Sequence, residues 1–321
     1  MDPLKQLRVA VIGTGFWGKN HARVLTQLPC TTLVCVCDVN AKAAESVGSA
    51  LGVEHTSDLQ NVLSRRDIDA VTICTPTVTH EHIATRVLMA GKHAFIEKPM
   101  ASSVAEAQGL LTLAESRGLR IMPGHIERFN PAVSYLKEMI GREELGKIIL
   151  LSARRVGRKP DRISDVGVVR DTAIHDVDLS RYIFDDEVSS VYARIGSTNT
   201  QNTNEDYAEI MLQFRKGGTA FIDANWLTLR KMRTLIVTAS EATTQLDYIT
   251  QEMWVEYSDR TLKPEIEKRE PLKLELTHFA ESILNDRPFA VNGVDGMKAV
   301  AMCESVIESS TTGRAISVAA M

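Results

Sequence analysis

The stretch Val9-Ala10-Val11-Ile12-Gly13-Thr14-Gly15-Phe16-Trp17-Gly18 runs from apolar residues straight into G-x-G-x-x-G. The apolar part has the texture of a buried strand and the glycines open a helical pattern, the context in which this spacing has a mechanism. Gly13 permits a tight turn, Gly15 lets backbone approach a pyrophosphate without a Cβ in the way, and Gly18 lets the helix pack close. The helix start then offers unsatisfied N–H groups and a positive dipole end to the phosphates. Asp38 closes the next strand-like run, about 20 residues further on, where a carboxylate accepts hydrogen bonds from the adenine ribose and repels a 2′-phosphate. Neither Val39 nor Asn40 is basic, so the cofactor expected is NAD rather than NADP.

Outward from this loop, strand-like runs at Arg8–Ile12, Thr32–Cys37, Ala70–Cys74, His93–Ile96 and Arg120–Met122 alternate with helical stretches such as Ala41–Leu51, His80–Ala90 and Val104–Arg117. Such βαβ alternation predicts a doubly wound parallel sheet of the Rossmann type, ending near Gly124. Beyond Pro131 the texture changes. A helical stretch is followed by a strand at Ile148–Arg155, a helix from Asp171 to Phe184, and strands at Val188–Ile195, Asp206–Phe214, Gly218–Asn225 and Arg233–Ala239. Lys216-Gly217-Gly218 marks a hairpin, and late helices are expected at Leu274–Asn285 and Val294–Ser310, with a break at Asp286-Arg287-Pro288. The fold class is therefore α/β, a Rossmann domain over residues 1–124 followed by an α+β domain over 125–321 with a largely antiparallel sheet. Helices on one side of that sheet leave an open face, which predicts a homodimer or homotetramer.

Bulk properties agree with a two-domain globular chain of 321 residues, 44% hydrophobic and 24% charged. A net charge of −4 gives no footprint for nucleic acid. The five cysteines are odd in number, and Cys35, Cys37 and Cys74 fall in strand-like runs, so they are read as core residues rather than as a disulfide framework. No His or Cys pairing has metal-ligand spacing, and no metal is expected. The N-terminal residues lack a signal-peptide pattern and no window approaches a span of roughly 18 apolar residues, which predicts a cytoplasmic protein with no membrane partner.

Two segments carry reactive side chains. Glu97-Lys98-Pro99 follows the strand-like run His93–Ile96, at the carboxyl edge where open α/β sheets bind ligands, so Lys98 is expected to face the cofactor crevice. Asp171 and His175 lie four residues apart at a predicted helix start, a spacing that lets the carboxylate orient the imidazole.

With these residues the chain resembles the Gfo/Idh/MocA family of oxidoreductases, over essentially its whole length. The likeness rests on the Gly13–Gly18 loop, on Cys74-Thr75-Pro76-Thr77-x-x-His80, on Glu97-Lys98-Pro99 and on Asp171-x-x-x-His175-Asp176-x-Asp178, in that order. It implies that Lys98 contacts the nicotinamide ribose and the substrate hydroxyl, that His175 is the general base and that Asp171 supports it. Cofactor contacts are accordingly expected from Thr14, Phe16 and Trp17 within the glycine loop, from Thr75, Pro76 and His80, and from Glu97. The family often has a Gly-Gly pair before the helix Asp, whereas this chain has Asp165-Val166-Gly167-Val168-Val169-Arg170.

Gly124-His125-Ile126-Glu127-Arg128-Phe129-Asn130-Pro131 and Asn225-Trp226-Leu227 are similar to the branch containing UDP-N-acetylglucosamine 3-dehydrogenases. That likeness nominates His125, Arg128 and Asn130 as substrate contacts. A sugar nucleotide also needs cations for its diphosphate, and Arg154, Arg155, Arg158, Lys159 and Arg162 precede the catalytic helix. Arg158 and Lys159 are the candidates there, while Trp226 and Trp254 read as core or interface anchors. Three readings stay open: a nucleotide-sugar dehydrogenase, a free polyol or inositol dehydrogenase with no diphosphate to neutralise, and a non-catalytic NAD-binding sensor with no use for Lys98, Asp171 and His175 together.

Overall fold

The computed structural model describes residues 6–161, 163, 165–198 and 204–319. The chain opens β1 (Leu7–Ile12), α1 (Phe16–Gln27), β2 (Thr31–Cys37), α2 (Ala41–Leu51), β3 (Glu54–Thr56) and α3 (Leu59–Leu63). It continues β4 (Ala70–Ile73), α4 (His80–Met89), β5 (His93–Glu97), α5 (Val104–Ser116) and β6 (Ile121–Gly124). Then come α6 (Pro131–Gly141), β7 (Ile148–Arg158), α7 (Ile174–Phe184), β8 (Val188–Gly196), β9 (Tyr207–Phe214), β10 (Thr219–Asn225) and β11 (Leu227–Ala239). The chain ends β12 (Ala242–Asp247), β13 (Glu252–Tyr257), β14 (Thr261–Leu262), α8 (Pro271–Leu284), α9 (Gly293–Thr312) and β15 (Ile316–Ser317).

The first sheet runs β3-β2-β1-β4-β5-β6 with every pairing parallel. Its inner strands are apolar on both faces because helices cover both: β4 is buried at every position. The chain order reverses between β1 and β4, the switch point at which such sheets bind ligands. Cys35 and Cys37 lie inside β2, and burial pushes their thiols up to about 11 and about 12, so both are protonated at neutral pH.

The second sheet has nine strands in the order β14-β13-β12-β11-β7-β10-β9-β8-β15, antiparallel except where β7 lies parallel to β10. The expected hairpin joins β9 to β10, with Gly217 at φ 94 and Gly218 at φ 100. A Cβ on Gly218 would also stand 2.4 Å from the Phe184 ring. One face of this sheet carries the core. On the other, Tyr192, Met211 and Phe221 lie opposite one another and the row continues through Ser152 to Ile236. The apolar members of that row are 39%, 39%, 45% and 38% exposed.

Sequence periodicity did not reveal β3, β12, β13, β14 or β15. β12 alternates inward and outward, but one of its inward residues is Thr244, which breaks the apolar signal, and β14 and β15 are two residues each. The chain forms two compact units, Met1–His125 with Leu272–Met297, and Ile126–Pro271 with Lys298–Met321. The single boundary at 124/125 thus misses the return of α8 to the first unit. There Phe279 meets Phe95 of β5 edge-on at 5.6 Å, and Arg120 donates to the Ser282 carbonyl at 2.7 Å while its guanidinium covers the Phe289 ring. No described helix is long and apolar enough to cross a membrane.

At the centre of the second unit is a buried charge cluster rather than a purely apolar core. Arg155, 2% exposed, donates from Nε and Nη2 to the Asp176 carboxylate at 2.7 and 3.1 Å and from Nη1 to Glu127 at 2.7 Å. Its guanidinium lies over the Tyr248 ring, whose hydroxyl donates to Asp176 at 3.2 Å. Burial disfavours the charge on Arg155, but the two carboxylates outweigh it and hold the guanidinium ionised. Arg155 is therefore not a phosphate ligand, as its place in the basic run had suggested: strand alternation turns it inward.

Replacing Arg155 with Met would remove both guanidinium hydrogen bonds to Asp176 and the 2.7 Å partner of Glu127, leaving Glu127 with Arg233 at 3.7 Å, a loss of about 3–5 kcal/mol. Urea unfolding of Arg155→Met is expected to show a midpoint far below that of the parent chain. An unchanged midpoint would remove the cluster from the account of stability.

Candidate functional site

Every candidate cofactor residue of the first unit stands at or just after the carboxyl end of a strand of the parallel sheet. Gly13 has φ 87, and a Cβ there would lie 2.7 Å from the Cys74 carbonyl oxygen. A Cβ on Gly18 would lie 1.7 Å from the Gly13 oxygen, so helix and strand pack at glycine distance. Gly15 differs: a Cβ there meets nothing within 4 Å, leaving room above the loop for a bound group. Phe16 is 61% exposed beside it, and Trp17, edge-on to Phe16 at 5.7 Å, has a buried indole N–H with no hydrogen-bond partner among the described residues. An open glycine cradle at a helix start with a spare donor fits a pyrophosphate.

Asp38 Oδ2 accepts the Thr14 amide at 2.7 Å and the Thr14 hydroxyl at 2.9 Å, and Oδ1 accepts the Asn40 amide at 2.9 Å. The carboxylate is thus tied to the glycine loop. The N-cap of α2 is Asn40, whose side chain accepts the Ala43 amide, so capping does not account for Asp38.

Glu97 and His80 brace this edge from within. Glu97 Oε1 meets His21 Nε2 of α1 at 3.0 Å, and Oε2 accepts the Lys98 amide at 3.3 Å. Burial opposes the charge on Glu97, yet the hydrogen bond and charge of His21, with Lys98, outweigh it and hold the carboxyl below its ordinary range. His80, 1% exposed, places Nδ1 2.8 Å from the Pro99 carbonyl and Nε2 2.9 Å from the Thr75 carbonyl. Carbonyls only accept, so the ring makes both bonds together only when both nitrogens carry protons. Their bonds fix the Thr75-Pro76 loop and the Lys98-Pro99 segment. Pro76 is exposed, and Thr75 accepts the Thr79 hydroxyl at 2.7 Å. Lys98 is 9% exposed and the Lys98–Pro99 peptide bond is cis. His21 escaped the sequence reading, although its place three residues after Gly18 was a signal. His125, 2% exposed, follows β6 within the first unit.

In the second unit the helix expected to start at Asp171 begins with a π-helical turn, Val169–Ala173, before α7. Asp171 therefore sits in the π turn and His175 in the first turn of α7, so the i, i+4 geometry of a straight α-helix does not describe the pair. Such turns are frequent at functional sites. Glu205 sets the turn: its carboxylate accepts the Val169 amide at 3.0 Å and its carbonyl accepts the Val168 amide at 3.0 Å. A Cβ on Gly167 would come within 2.1 Å of that carboxylate, which explains the glycine at this point of the departing loop. Nothing in the sequence pattern pointed to Glu205. The neighbouring Asp176 is held by Arg155, so the chain on either side of His175 is fixed.

Arg128 donates to both oxygens of Asp178 at 2.7 and 2.6 Å and lies over Tyr182. Asn130 caps α6 through the Ala132 amide and donates to the Tyr248 carbonyl at 3.0 Å. Both thus hold the architecture of the second unit. Arg154 points to the outer face and pairs with Asp223 at 2.9 Å. Arg158 and Lys159 remain exposed at the end of β7, and Arg162 lies outside the described residues. Lys231 joins them from β11, where the register with β7 breaks and the chain passes Gly157. Arg233, then burial and Arg155, hold the Lys231 ammonium below its ordinary range, against the pull of Glu127. The run Arg230-Lys231-x-Arg233 was visible in the sequence but distant from the first basic run.

Residues 7–125 match the family model described as the GFO/IDH/MocA oxidoreductase family, NAD-binding Rossmann fold, and residues 133–245 match the GFO/IDH/MocA C-terminal domain. The UDP-N-acetylglucosamine 3-dehydrogenase of Acidithiobacillus ferrooxidans is 28% identical over 305 residues, covering 92% of this chain and 94% of that enzyme. Its solved structure superposes with a TM-score of 0.88 over 95% of this chain and 98% of that one. The scyllo-inositol 2-dehydrogenase (NAD(+)) of Bacillus subtilis is 30% identical over 308 residues, 90% of each chain. The chain belongs to the GFO/IDH/MocA oxidoreductase family, and residues 7–125 of its first unit are that family's NAD-binding Rossmann fold.

Proposed function

We propose that the enzyme oxidises a secondary hydroxyl of a sugar, specifically the 3-hydroxyl of UDP-N-acetylglucosamine or a related nucleotide amino sugar. The observation that carries this reading is the group of exposed cations, Arg158, Lys159 and Lys231, where β7 ends beside the bulge of β11. Exposed cations grouped at one strand end suit a diphosphate. The 28% identity to a UDP-N-acetylglucosamine 3-dehydrogenase supports it. The 30% identity to a scyllo-inositol dehydrogenase favours a free polyol as the second reading, but a polyol gives those cations nothing to neutralise.

When bound, NAD accepts hydride at C4 of its nicotinamide. The glycine loop and Trp17 hold the pyrophosphate, and Asp38 takes the adenine ribose. His175 removes the hydroxyl proton as the C–H bond gives up hydride and the carbon becomes a ketone; the proton stays on the imidazole. Lys98, held by Glu97 and by the His80 brace, stabilises the alkoxide character that develops on the oxygen. Asp171 favours the charged imidazole that results. A sensor has no need of this set, which weighs against the non-catalytic reading. We place the enzyme in the cytoplasm, in keeping with five cysteines that are all free thiols.

The test is absorbance at 340 nm with NAD and, in turn, UDP-N-acetylglucosamine, its uronic acid, myo-inositol and glucose. NADH is expected only with the UDP sugars; production with myo-inositol alone would give the site to polyols. His175→Ala should then lose about 10²–10⁴-fold in kcat while binding NAD as the parent does.

We further propose that the apolar row on the outer sheet face, Tyr192, Met211, Phe221 and Ile236, joins two copies of the chain. Light scattering after gel filtration should give a multiple of 35.5 kDa, and Phe221→Arg should reduce it toward the single-chain mass. A parent chain that elutes as a monomer contradicts this.

A further inference from the structure

Asn225-Trp226-Leu227 is a motif that the reaction above leaves unused. Asn225 Oδ1 accepts the amides of Leu227 and Thr228 at 3.2 and 3.0 Å and the Thr228 hydroxyl at 2.8 Å, an Asx turn that carries the chain from β10 to β11. Trp226, on this turn, is 7% exposed, and its amide donates to the Asp206 carbonyl at 2.8 Å. Its indole N–H donates to the Thr172 hydroxyl at 3.0 Å, and that hydroxyl donates to Asp171 Oδ2 at 3.1 Å. The direction of this chain is fixed by chemistry. An indole nitrogen can only donate and an ionised carboxylate can only accept, so the Thr172 proton points to Asp171. Accepting from the indole polarises the hydroxyl and strengthens its bond to the carboxylate.

The π turn makes such an anchor necessary. Thr172 and Asp171 are consecutive, so neither can brace the other against rotation of the turn as a whole. Trp226 belongs to a different element, held by its own turn and amide, and ties the pair to the sheet. The ring face of Trp226 also lies 5.5 Å from the Lys159 ammonium, which packs the indole from the solvent side.

We infer that Trp226, acting through Thr172, is a positioning residue that fixes the orientation of the Asp171 carboxylate. The inference rests on the role proposed for Asp171 but makes a claim about bonding that stands apart from it. The chain has three tryptophans, so a ¹⁵N–¹H spectrum shows three indole signals, and Trp226→Phe identifies one by its loss. Asp171→Asn is expected to move the Trp226 signal in the parent chain and to leave it unmoved in a Thr172→Val background. This arm needs neither substrate nor cofactor, and a Trp226 signal indifferent to Asp171→Asn overturns the inference. If Trp226→Phe does not fold, Trp17→Phe and Trp254→Phe assign the signal by elimination.

In turnover, Thr172→Val should lower kcat about ten-fold, the effect of one hydrogen bond to a charged group, with the KM for NAD unchanged. Thr172→Ser should stay within about two-fold of the parent, and Trp226→Phe should add no loss to Thr172→Val, because its N–H acts only through that hydroxyl. Additive losses, or full activity in Thr172→Val while Asp171→Asn is inactive, refute the relay. Full activity in Asp171→Asn refutes instead the role of Asp171, and the spectra then judge the bonding alone.

Discussion

A single buried guanidinium sets the conditions for the second unit. Arg155 is the only cation facing inward from the centre of β7 among the described residues, and it binds Asp176 of α7 and Glu127 of the segment before α6 at once. Burying two carboxylates this close is costly without a cation between them, and burying the guanidinium is costly without them; Arg233 adds a second, longer contact to Glu127 at 3.7 Å. The arrangement is therefore favoured as a whole, and it aligns a strand, a helix and a loop with directional bonds that apolar contact does not provide. His175 is the residue before Asp176. The proposed base thus sits next in sequence to a residue held by this ion cluster.

The first unit uses the same strategy with weaker means. Its ligand edge is built of loops, and loops need support to hold reactive groups at fixed positions. His21 reaches from α1 to Glu97, and His80 spans the loops after β4 and β5. Each brace joins two segments that are distant in sequence, and both terminate on the segment carrying Lys98. Side chains that resemble ligand contacts by type and place are here the frame that holds the contacts.

How much was legible follows from range. The glycine loop, Asp38 and five of the six strands of the parallel sheet were readable because their signals are local: a strand, a turn and a helix start within a dozen residues, repeated along the chain, whereas the three-residue edge strand β3 was too short to show. The hairpin at Gly217-Gly218 was readable for the same reason. The partners of Arg128, Asn130 and Arg155, namely Asp178, Tyr248 and Asp176, were not legible because they lie far along the chain, and an arginine looks alike whether a carboxylate or a phosphate awaits it. The π turn was hidden because its cause, Glu205 at Gly167, has no pattern in sequence. The return of α8 to the first sheet was hidden because an amphipathic helix does not announce which sheet it covers.

Isotope transfer measures the central claim most directly. UDP-N-acetylglucosamine carrying deuterium at C3 is mixed with enzyme and NAD for a single turnover, and the reduced cofactor is weighed. The account predicts that the deuterium appears on the nicotinamide, and that substrate labelled at C4 transfers none. Reduced cofactor that is unlabelled from the C3 substrate, or labelled from the C4 substrate, would contradict it.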